Sequence, residues 1–326
     1  MRIVVTGGGG FLGSRLASAL LARETLTAAD GTRQAIRRIV LLDRGYPSAM
    51  PEDPRLECLT GDVADPADVA RAITPETEAI FHLAAVVSGE AESNFELGMR
   101  VNLDGFRCVI DQARRCARRP RMVYTSSVAA FGGELPAVLD DATPAAPQTS
   151  YGAQKVVGEY LLSDYSRKGF IDGRALRLPT IVVRPGKANA AASSFASAIV
   201  REPVNGVTYE CPVSPQTGIW LLSPERTVAA FLHAFELPES AWQGRRVLNL
   251  PGLTTSVQEM VDAMGRLAGR DTVRRVLWKP DAAIQAIVRT WPVRFQTPRA
   301  LALGFEADDD IDAVIRSHLA DRSSGR

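Results

Sequence analysis

A phenol and an ammonium group lie four residues apart near the middle of the chain. Tyr151 and Lys155 have the spacing that puts two side chains on one face of a helix. A free tyrosine is a poor base at neutral pH because its pKa is about 10, but a neighbouring cation stabilises the phenolate and lowers that pKa. We therefore predict that Tyr151 is a general acid and base and that Lys155 depresses its pKa.

Two hydroxyl groups end an apolar run that precedes this pair. Ser126 and Ser127 follow Met122–Tyr124, which predicts a buried strand, with Thr125 between them and the run. A serine at this point can hydrogen-bond the same substrate oxygen as the tyrosine and position it for hydride transfer. The serine, the tyrosine and the lysine together favour a hydride-transfer reaction.

A glycine-rich turn near the N-terminus predicts a phosphate-binding loop. Gly7, Gly10 and Gly13 are spaced GxxGxxG after the first apolar run. This pattern allows a tight turn, a close approach of the backbone to a pyrophosphate, and close packing of the helix on the strand. Phe11 and Leu12 then open a helix whose free N–H groups and positive dipole end face phosphates. We predict that Gly7, Gly10, Phe11 and Leu12 bind a dinucleotide.

Two carboxylates follow the next predicted strands. Asp43 can accept hydrogen bonds from the adenosine ribose hydroxyls and would repel the 2′-phosphate of NADP, so NAD is the expected cofactor. Arg44 keeps NADP open as an alternative, because an arginine there could receive that phosphate. Asp62 and Val63 are candidates for the adenine end of the cofactor. The alternative for Asp62 is a turn or helix-capping aspartate.

The elements that position these residues alternate between apolar runs and helical patterns, which indicates a parallel sheet covered on both faces. We predict an α/β fold, a Rossmann-type doubly wound parallel sheet of about seven strands with a smaller C-terminal substrate-binding region. The cofactor domain would cover residues 1–178 and return at about 219–252, and residues 179–326 would mainly bind substrate, with an irregular lid at 179–218. A polar insertion would occupy Glu24–Arg37, and Arg174–Val183 would be one strand. The seven apolar runs begin at Ile3, Ile39, Leu56, Ala79, Met122, Arg174 and Arg246.

The composition excludes several classes of protein. The 326 residues carry 38 basic and 37 acidic side chains, so no global field attracts nucleic acid or an anionic membrane. Four cysteines without a CxxC pair and three scattered histidines predict neither disulfides nor a metal site. We expect a cytoplasmic protein, because no apolar run approaches the ~20 residues that span a bilayer and none forms the core of a signal peptide. Six arginines are expected on a solvated helix and its end rather than in a nucleic-acid patch: Arg107, Arg114, Arg115, Arg118, Arg119 and Arg121.

Four motifs together resemble the extended short-chain dehydrogenase/reductase family, which includes nucleotide-sugar epimerases and dehydratases. They are Thr6–Gly13, Phe81–Ala85, Ser126–Gly132 and Ser150–Lys155. The resemblance implies that Tyr151 is the base and that Lys155 holds the cofactor ribose.

The same resemblance assigns further residues. It implies that Ser127 is the catalytic serine and that Ser126 lies against the nicotinamide. It implies that Leu83 and Ala84 line the cofactor groove, and that Leu178 and Pro179 touch the nicotinamide. Asn102 matches a position that is usually structural. Because many relatives pair through helices in the region of Arg107 to Arg121, we expect a homodimer.

The segment after the sixth apolar run departs from the sugar-nucleotide epimerases. Those enzymes carry an aromatic-Asn motif where this chain has Thr180. The cationic run Arg184–Asn189 predicts recognition of a small anion more than of a uracil and diphosphate, because a guanidinium can hold a carboxylate bidentately. An ordinary buried ion pair is the alternative for Arg184. The candidate substrate-binding residues are Ser127, Tyr151, Thr180, Arg184, Asn189 and Ser194.

Three functions compete. The resemblance favours an NAD-dependent dehydrogenase that oxidises the C2 hydroxyl of a small sugar acid and releases NADH. The alternatives are a nucleotide-sugar 4-epimerase with tightly held NAD and a non-catalytic NAD-binding regulator. Thr180 argues against the epimerase, and the intact Ser127, Tyr151 and Lys155 argue against the regulator.

Overall fold

A computed structural model describes residues 1–48, 50–186 and 193–323. The strands are β1 (Arg2–Thr6), β2 (Thr25–Thr27), β3 (Arg33–Ala35), β4 (Arg38–Asp43), β5 (Leu56–Thr60), β6 (Ala79–His82), β7 (Arg121–Ser127), β8 (Asp172–Leu178), β9 (Thr180–Ile181), β10 (Tyr209–Cys211), β11 (Gly218–Leu222), β12 (Val247–Asn249), β13 (Leu253–Ser256) and β14 (Val276–Trp278). The helices are α1 (Phe11–Leu21), α2 (Pro66–Ala72), α3 (Ser88–Ser93), α4 (Phe95–Gly98), α5 (Gly105–Ala113), α6 (Ser150–Arg167), α7 (Ser194–Val204), α8 (Pro224–Glu236), α9 (Val257–Ala268), α10 (Arg270–Val273), α11 (Ala282–Val288), α12 (Pro298–Ala302) and α13 (Ile311–Ser323). A π-helical segment, Met99–Asp104, joins α4 to α5.

The chain divides into two compact units. The first, here called the cofactor unit, comprises residues 1–130, 149–177 and 228–248. Its seven-stranded sheet has the order β12-β8-β7-β6-β1-β4-β5, and neighbours from β7 to β5 pair in parallel. In this register Val4 lies between Val40 and Ile80. The predicted Rossmann-type sheet of seven strands is confirmed.

The inner strands of the central sheet are buried on both faces. Ile3, Val4 and Val5 are completely buried, although successive side chains of a strand point to opposite faces. On one face Val4 and Ile80 pack in a core with apolar residues of α2, α5 and α6. Burial on both faces explains why these strands are continuous apolar runs in the sequence.

The second unit comprises residues 131–148, 178–227 and 249–326. In its three-stranded sheet β11 pairs in parallel with β9 and antiparallel with β13. A separate pair joins β10 and β14 in parallel. Apolar residues of α7, α9 and α13 form its core with β11. At the start of α9 a capping box joins Ser256 and Glu259.

The sixth apolar run is two strands, so the prediction of one strand over Arg174–Val183 is wrong. β8 ends at Leu178 and belongs to the central sheet, whereas β9 begins at Thr180 and belongs to the sheet of the second unit. Pro179 lies between them. Proline has no N–H for a ladder hydrogen bond, so it is a natural place for the strand to end.

The prediction of an irregular segment from residue 179 to residue 218 is also wrong in part. The structure has helix α7 and strand β10 there. Phe195, Ile199 and Val200 are buried in the core of the second unit and have helical spacing. The prolines and glycines of this stretch obscure the helical spacing of these apolar residues in the sequence. Pro203 is tolerated in the last turn of α7.

One polar segment of the cofactor unit has more structure than the sequence predicts. The insertion Glu24–Arg37 contains a hairpin in which β2 and β3 pair antiparallel, with the tip at Gly31. Glu236, at the end of α8, accepts hydrogen bonds from both the N–H and the hydroxyl of Thr27. The insertion is therefore tied to the unit rather than free.

The prediction that Arg121 lies on a solvated helix or at its end is wrong. Arg121 lies at the start of β7, where it is 2% exposed. Its Nε lies 3.1 Å from a carboxylate oxygen of Asp172, and Arg174 and Arg246 bind the same carboxylate at 2.7 and 2.9 Å. A buried guanidinium needs such a partner because removing its charge from water is costly. The sequence separation of these residues hides the cluster.

Two absences hold for the described parts of the chain. No helix there combines the length and the apolar character needed to cross a membrane. Within residues 1–48, 50–186 and 193–323, no three histidine, cysteine, aspartate or glutamate side chains are grouped as a metal site would need.

The last residue of β6 is a fully buried histidine. The His82 Nδ1 lies 2.8 Å from the hydroxyl of Thr6, and its ring lies 5.8 Å from that of Tyr124 and 5.0 Å from that of Phe106. Burial, together with the charge of Lys155, lowers the pKa of His82 to about 3. His82 is therefore neutral in the folded protein at physiological pH.

We predict that His82 makes the protein sensitive to mild acid. Below pH 6.5 the unfolded chain protonates His82 while the folded protein does not, so stability is lost as the pH falls. Between pH 7 and pH 5 this group should remove about 2 kcal/mol from the free energy of unfolding. Urea unfolding of the wild type and His82→Asn at both pH values measures the effect. An equal pH dependence in the two proteins would contradict it.

Candidate active site

The glycine-rich turn lies between β1 and α1. Gly7 has a φ of +72°, and a Cβ there would lie 2.7 Å from the backbone nitrogen of Ala84. A Cβ on Gly13 would lie 2.0 Å from the carbonyl oxygen of Gly7, so α1 packs against the turn as closely as the glycine spacing predicts. Gly10 begins α1 without a side-chain cap, so no side chain of that residue occupies the first amides of the helix, at Phe11 and Leu12.

Asp43 lies at the end of β4, beside this turn. One carboxylate oxygen accepts a hydrogen bond from the N–H of Gly9 at 2.9 Å, and the other accepts from the N–H of Arg44 at 2.7 Å. A Cβ on Gly9 would lie 2.0 Å from the carbonyl oxygen of Gly45. The Asp43 carboxylate thus joins the glycine turn to the end of β4.

Asp62 is held in a turn after β5. Its carboxylate accepts hydrogen bonds from the N–H of Ala64 and from the guanidinium of Arg100. Although burial opposes it, these two partners hold the pKa of Asp62 below its ordinary value. Val63 packs against the start of α5, where a Cβ on Gly105 would lie 2.8 Å from the valine side chain. The structure thus shows the turn role of Asp62, and its predicted contact with adenine stays a prediction.

The segment after β6 is fixed by an amide side chain. Leu83 and Ala84 lie close to Gly7, where a Cβ would be 2.7 to 2.9 Å from their backbone atoms. Asn102, 3% exposed, accepts a hydrogen bond from the N–H of Val86 and donates to its carbonyl oxygen. It also donates to the side chain of Gln154 on α6, at 2.8 Å. Asn102 therefore has the structural role that the resemblance implies.

Ser126 and Ser127 end β7. Their side chains leave opposite faces of the strand, because residues alternate along a strand. The Ser126 hydroxyl donates to the carboxylate of Glu159, and the Ser127 hydroxyl accepts from the N–H of Ala129 at 3.1 Å. Ser127 is the more exposed of the two. A hydroxyl that accepts a backbone hydrogen bond keeps its proton available for another acceptor.

Helix α6 carries the tyrosine and the lysine. Thr149 caps the helix by accepting from the N–H of Gly152, so the first turn, which contains Tyr151, is fixed. The Lys155 ammonium is 5.6 Å from the ring centroid of Tyr151 and donates to the carbonyl oxygen of Thr125 at 2.8 Å. Burial lowers the pKa of Lys155 to about 7, and the nearby Glu159 carboxylate opposes that shift.

The contact of α6 with β7 depends on a glycine. A Cβ on Gly158 would lie 2.3 Å from the hydroxyl oxygen of Tyr124. Because Gly158 has none, the Tyr124 ring packs under the helix, and the Lys155 ammonium lies 5.0 Å from its centroid. The helix can therefore bring Lys155 close to the backbone at the end of β7.

A buried carboxylate in this region was missed in the sequence. Glu159 lies one helical turn after Lys155, is 3% exposed, and binds the guanidinium of Arg177 at 2.7 Å. The signal that could have revealed it is the four-residue spacing from Lys155, which puts both side chains on the buried face of one helix. Arg177, on β8, gave no such signal because its partner is distant in sequence.

Thr180 and Ser194, two of the predicted substrate-binding residues, belong to the second unit. Thr180 begins β9 and pairs with Leu221. The preceding Pro179 lies against Gly252, where a Cβ would be 3.1 Å from the proline ring. Ser194 is the first residue of α7. The contact of Thr180 and Ser194 with Tyr151 or its substrate stays a prediction.

Arg184 has a fixed backbone. Its N–H donates to the hydroxyl of Ser197 at 3.0 Å, and its carbonyl oxygen accepts from the guanidinium of Arg201 at 2.8 Å. Its own guanidinium reaches the hydroxyl of Ser193 at 3.5 Å. Asn189 lies outside the described residues.

The cofactor unit fits a dinucleotide. The turn that begins at Gly7 approaches Ala84 so closely that a side chain would not fit, and the uncapped start of α1 offers N–H groups to a pyrophosphate. Asp43 and Lys155 add a carboxylate and a cation at the ends of β4 and α6. These groups match the ribose hydroxyls that a dinucleotide presents.

The chain is similar to curated proteins over nearly its whole length. It is 53% identical over 321 residues to the D-erythronate dehydrogenase of Cupriavidus necator and 42% identical over 319 residues to that of Haemophilus influenzae. These matches cover 98% of this chain, and 98% and 99% of the two relatives. A solved structure described as the nucleoside-diphosphate-sugar epimerase from Agrobacterium tumefaciens has a TM-score of 0.92 and 36% identity, and the match covers 100% of this chain and 95% of that one.

Residues 3–217 match a protein family described as the NAD dependent epimerase/dehydratase family. This match and the two relatives confirm the predicted family, NAD as the cofactor, and an NAD-dependent oxidoreductase. The chain belongs to the NAD dependent epimerase/dehydratase family, the extended branch of the short-chain dehydrogenases/reductases.

Proposed function

We propose that this protein is a D-erythronate dehydrogenase that oxidises the C2 hydroxyl to a ketone and gives 2-oxo-tetronate and NADH. The observation that carries the proposal is 53% identity to a protein of that name over 98% of both chains. The site supports it, because a tyrosine, a buried lysine and a serine lie at the ends of neighbouring elements in one unit.

Each of the three side chains has one chemical task in this proposal. NAD, when bound, would supply the hydride acceptor. Tyr151, as the phenolate, takes the proton of the C2 hydroxyl while the C2–H electron pair leaves with the hydrogen, so C2 becomes a carbonyl. Ser127 donates a hydrogen bond to the same oxygen and orients it. Lys155 holds the cofactor ribose, and its positive charge stabilises the phenolate.

The second unit supplies the candidates for binding the carboxylate and the distal hydroxyls. We assign the carboxylate to Arg184, whose backbone Ser197 and Arg201 fix. Asn189, Thr180 and Ser194 are the candidates for the remaining oxygens. A guanidinium suits this task because its planar donors match a carboxylate bidentately.

Asp43 is the basis for NAD rather than NADP. Its carboxylate lies at the end of β4 beside the glycine turn, where it would accept from both ribose hydroxyls and repel a 2′-phosphate. Asp62 and Val63 are assigned to the adenine, Leu83 and Ala84 to the groove, and Ser126 and Pro179 to the nicotinamide end.

A nucleotide-sugar epimerase is the second candidate, because a structure with that description is 36% identical to this chain. An epimerase returns the hydride to its substrate and accumulates no NADH. Thr180, in place of the epimerase asparagine, and the higher identity to the D-erythronate dehydrogenases favour net oxidation. A regulator without turnover would not need the serine, tyrosine and lysine together.

We also propose that the protein is a cytoplasmic homodimer. Tyr160 and Val157 lie one turn apart on α6 and are 73% and 42% exposed, and Phe95 on the neighbouring α4 is 55% exposed. A second copy that packs on this face would remove the three apolar side chains from water.

The enzymatic proposal predicts NADH formation with a four-carbon aldonate. The purified protein is mixed with NAD and, in separate reactions, with D-erythronate, other aldonates and nucleotide sugars, and the absorbance of NADH is followed. We expect NADH with D-erythronate and none with nucleotide sugars. Absence of NADH with every four-carbon aldonate would rule the proposal out, and epimerised sugar without NADH would favour the second candidate.

Tyr151→Phe is the matched control for this assay. It removes only the phenolic oxygen, so turnover should fall by about 10²–10⁴-fold, the usual contribution of a general base. The dissociation constant for NAD, measured by calorimetry, should change little. Unchanged turnover would remove Tyr151 from the mechanism.

Asp43→Ser should weaken the preference for NAD over NADP. Removing one carboxylate that faces a phosphate should improve relative NADP binding about tenfold or more, because like-charge repulsion is relieved. Calorimetric titration with both cofactors measures the ratio. Asp62→Ala is the comparison, because a change at the adenine end should weaken both cofactors alike. An unchanged ratio in Asp43→Ser would reject this role.

The dimer proposal predicts twice the chain mass of 35.2 kDa in light scattering. Tyr160→Glu puts a charge into the proposed interface and should give monomers. Leu301→Glu, at an exposed apolar residue of α12, should leave the mass unchanged. A wild-type mass of one chain at all concentrations would contradict the dimer.

A further inference from the structure

Three elements of the cofactor unit meet at one buried carboxylate. Glu159 on α6 accepts a hydrogen bond from the Ser126 hydroxyl at 2.5 Å. The guanidinium of Arg177 binds both oxygens of that carboxylate, at 2.8 and 2.7 Å. Glu159 and Ser126 are 3% and 2% exposed. Helix α6, the end of β7 and the end of β8 are thus joined through one side chain.

This carboxylate is poorly explained as a source of stability alone. Removing two charges from water costs several kcal/mol per ion, and apolar replacements of buried ion pairs are often neutral or stabilising. What the two-pronged contact with Arg177 adds is direction, because a planar guanidinium fixes the plane of the carboxylate. The oxygen offered to Ser126 is therefore held at one position.

That position matters because Ser126 precedes the serine proposed to act in catalysis. Helix α6 has two polar ties to the last residues of β7. Lys155 reaches the carbonyl oxygen of Thr125, and Glu159 reaches the hydroxyl of Ser126. Two ties one helical turn apart resist both sliding and rotation of the helix. With Glu159 removed, the Lys155 contact would be left to fix the strand end relative to Tyr151.

We propose that Glu159, oriented by Arg177, is a positioning residue that holds the end of β7, and with it Ser127, in register with Tyr151 and Lys155. The inference rests on the proposed roles of those three residues. It does not depend on which sugar acid is the substrate. A misplacement of about 1 Å at a reacting group can cost about 10²-fold in rate, so the loss should appear in kcat.

The first test separates kcat from KM. Glu159→Ala should lower kcat about 100-fold, the loss expected for misplaced groups, while the KM values for NAD and D-erythronate stay within about threefold. Ser126→Ala should lower kcat as well, and adding it to Glu159→Ala should have little further effect, because the two residues act through one contact. If Glu159→Ala does not fold, Glu159→Gln/Arg177→Met removes both charges and should show the same loss of kcat.

Asp172→Asn is the matched control. Asp172 is also a buried, arginine-paired carboxylate of this unit, but it begins β8, whereas Arg177 lies near the other end of that strand. The control should lower the melting temperature and leave kcat unchanged below that temperature. Normal kcat in a folded Glu159 variant or in Ser126→Ala, or an equal loss of kcat in Asp172→Asn, would overturn the proposal.

A second test needs no substrate, so it separates this inference from the proposed function. Hydrogen–deuterium exchange in the Glu159 variant should speed up in peptides that cover the end of β7 and the following turn, residues 125–130. In Asp172→Asn the faster exchange should appear at the start of β8 instead. If the wild type oxidises no aldonate, the substrate is wrong but this exchange pattern still decides the role of Glu159. Unchanged exchange at 125–130 would refute that role.

Discussion

The cofactor unit is organised around an ammonium group that water does not reach. Lys155 is 2% exposed, and burial alone would drive off its proton. A backbone carbonyl, two aromatic rings and a carboxylate one helical turn away stabilise the charged form. Two of these partners, the Thr125 carbonyl and the Tyr124 ring, belong to β7, so α6 must lie very close to that strand. That closeness is possible because Gly158 leaves room for the ring of Tyr124. The positions of Tyr151, the two serines and Glu159 all follow from it.

The two ends of the central sheet have different polar chemistry. At the carboxyl ends of the strands lie hydroxyls, a lysine and backbone amides, groups that could exchange protons or bind a ligand. At the start of β7 and β8, Arg121 and Asp172 form part of a cluster of buried ion pairs with Arg174 and Arg246. Arg121 and Arg174 also donate to the last carbonyl groups of α8. The polar groups at the other end thus fix the ends of strands and a helix.

Much of this arrangement could be predicted from local patterns. Three short patterns have the predicted local geometry: the glycine turn before a helix, the strand that ends in two serines, and the Tyr151–Lys155 pair on one helix. Such patterns are readable because strand ends and helix faces depend on residues that are close in sequence. The inner strands β1, β4, β6 and β7 were recognisable because burial on both faces makes such strands apolar runs.

The rest depends on contacts between distant parts of the chain. Arg177 and Glu159 are 18 residues apart, and Arg121 and Asp172 are 51 apart. No periodicity connects such pairs. The sequence therefore places Arg121 in solvent, and it does not reveal the contacts of Glu159 with Ser126 and Arg177. The break at Pro179 was visible as a proline, but the switch from one sheet to another was not, because it is decided by which strands β9 finds as partners.

The hairpin of β2 and β3 is a segment where residues could be added to the chain without a shift of the cofactor groove. Its two strands pair with each other, Glu236 binds its first strand, and Arg37 returns directly to the backbone of Met1 at the edge of the central sheet. Nothing lies within 4 Å of where a side chain on Gly31 would begin. This tip is therefore a place where a fluorescent label or an affinity tag could be inserted with the chemistry left intact.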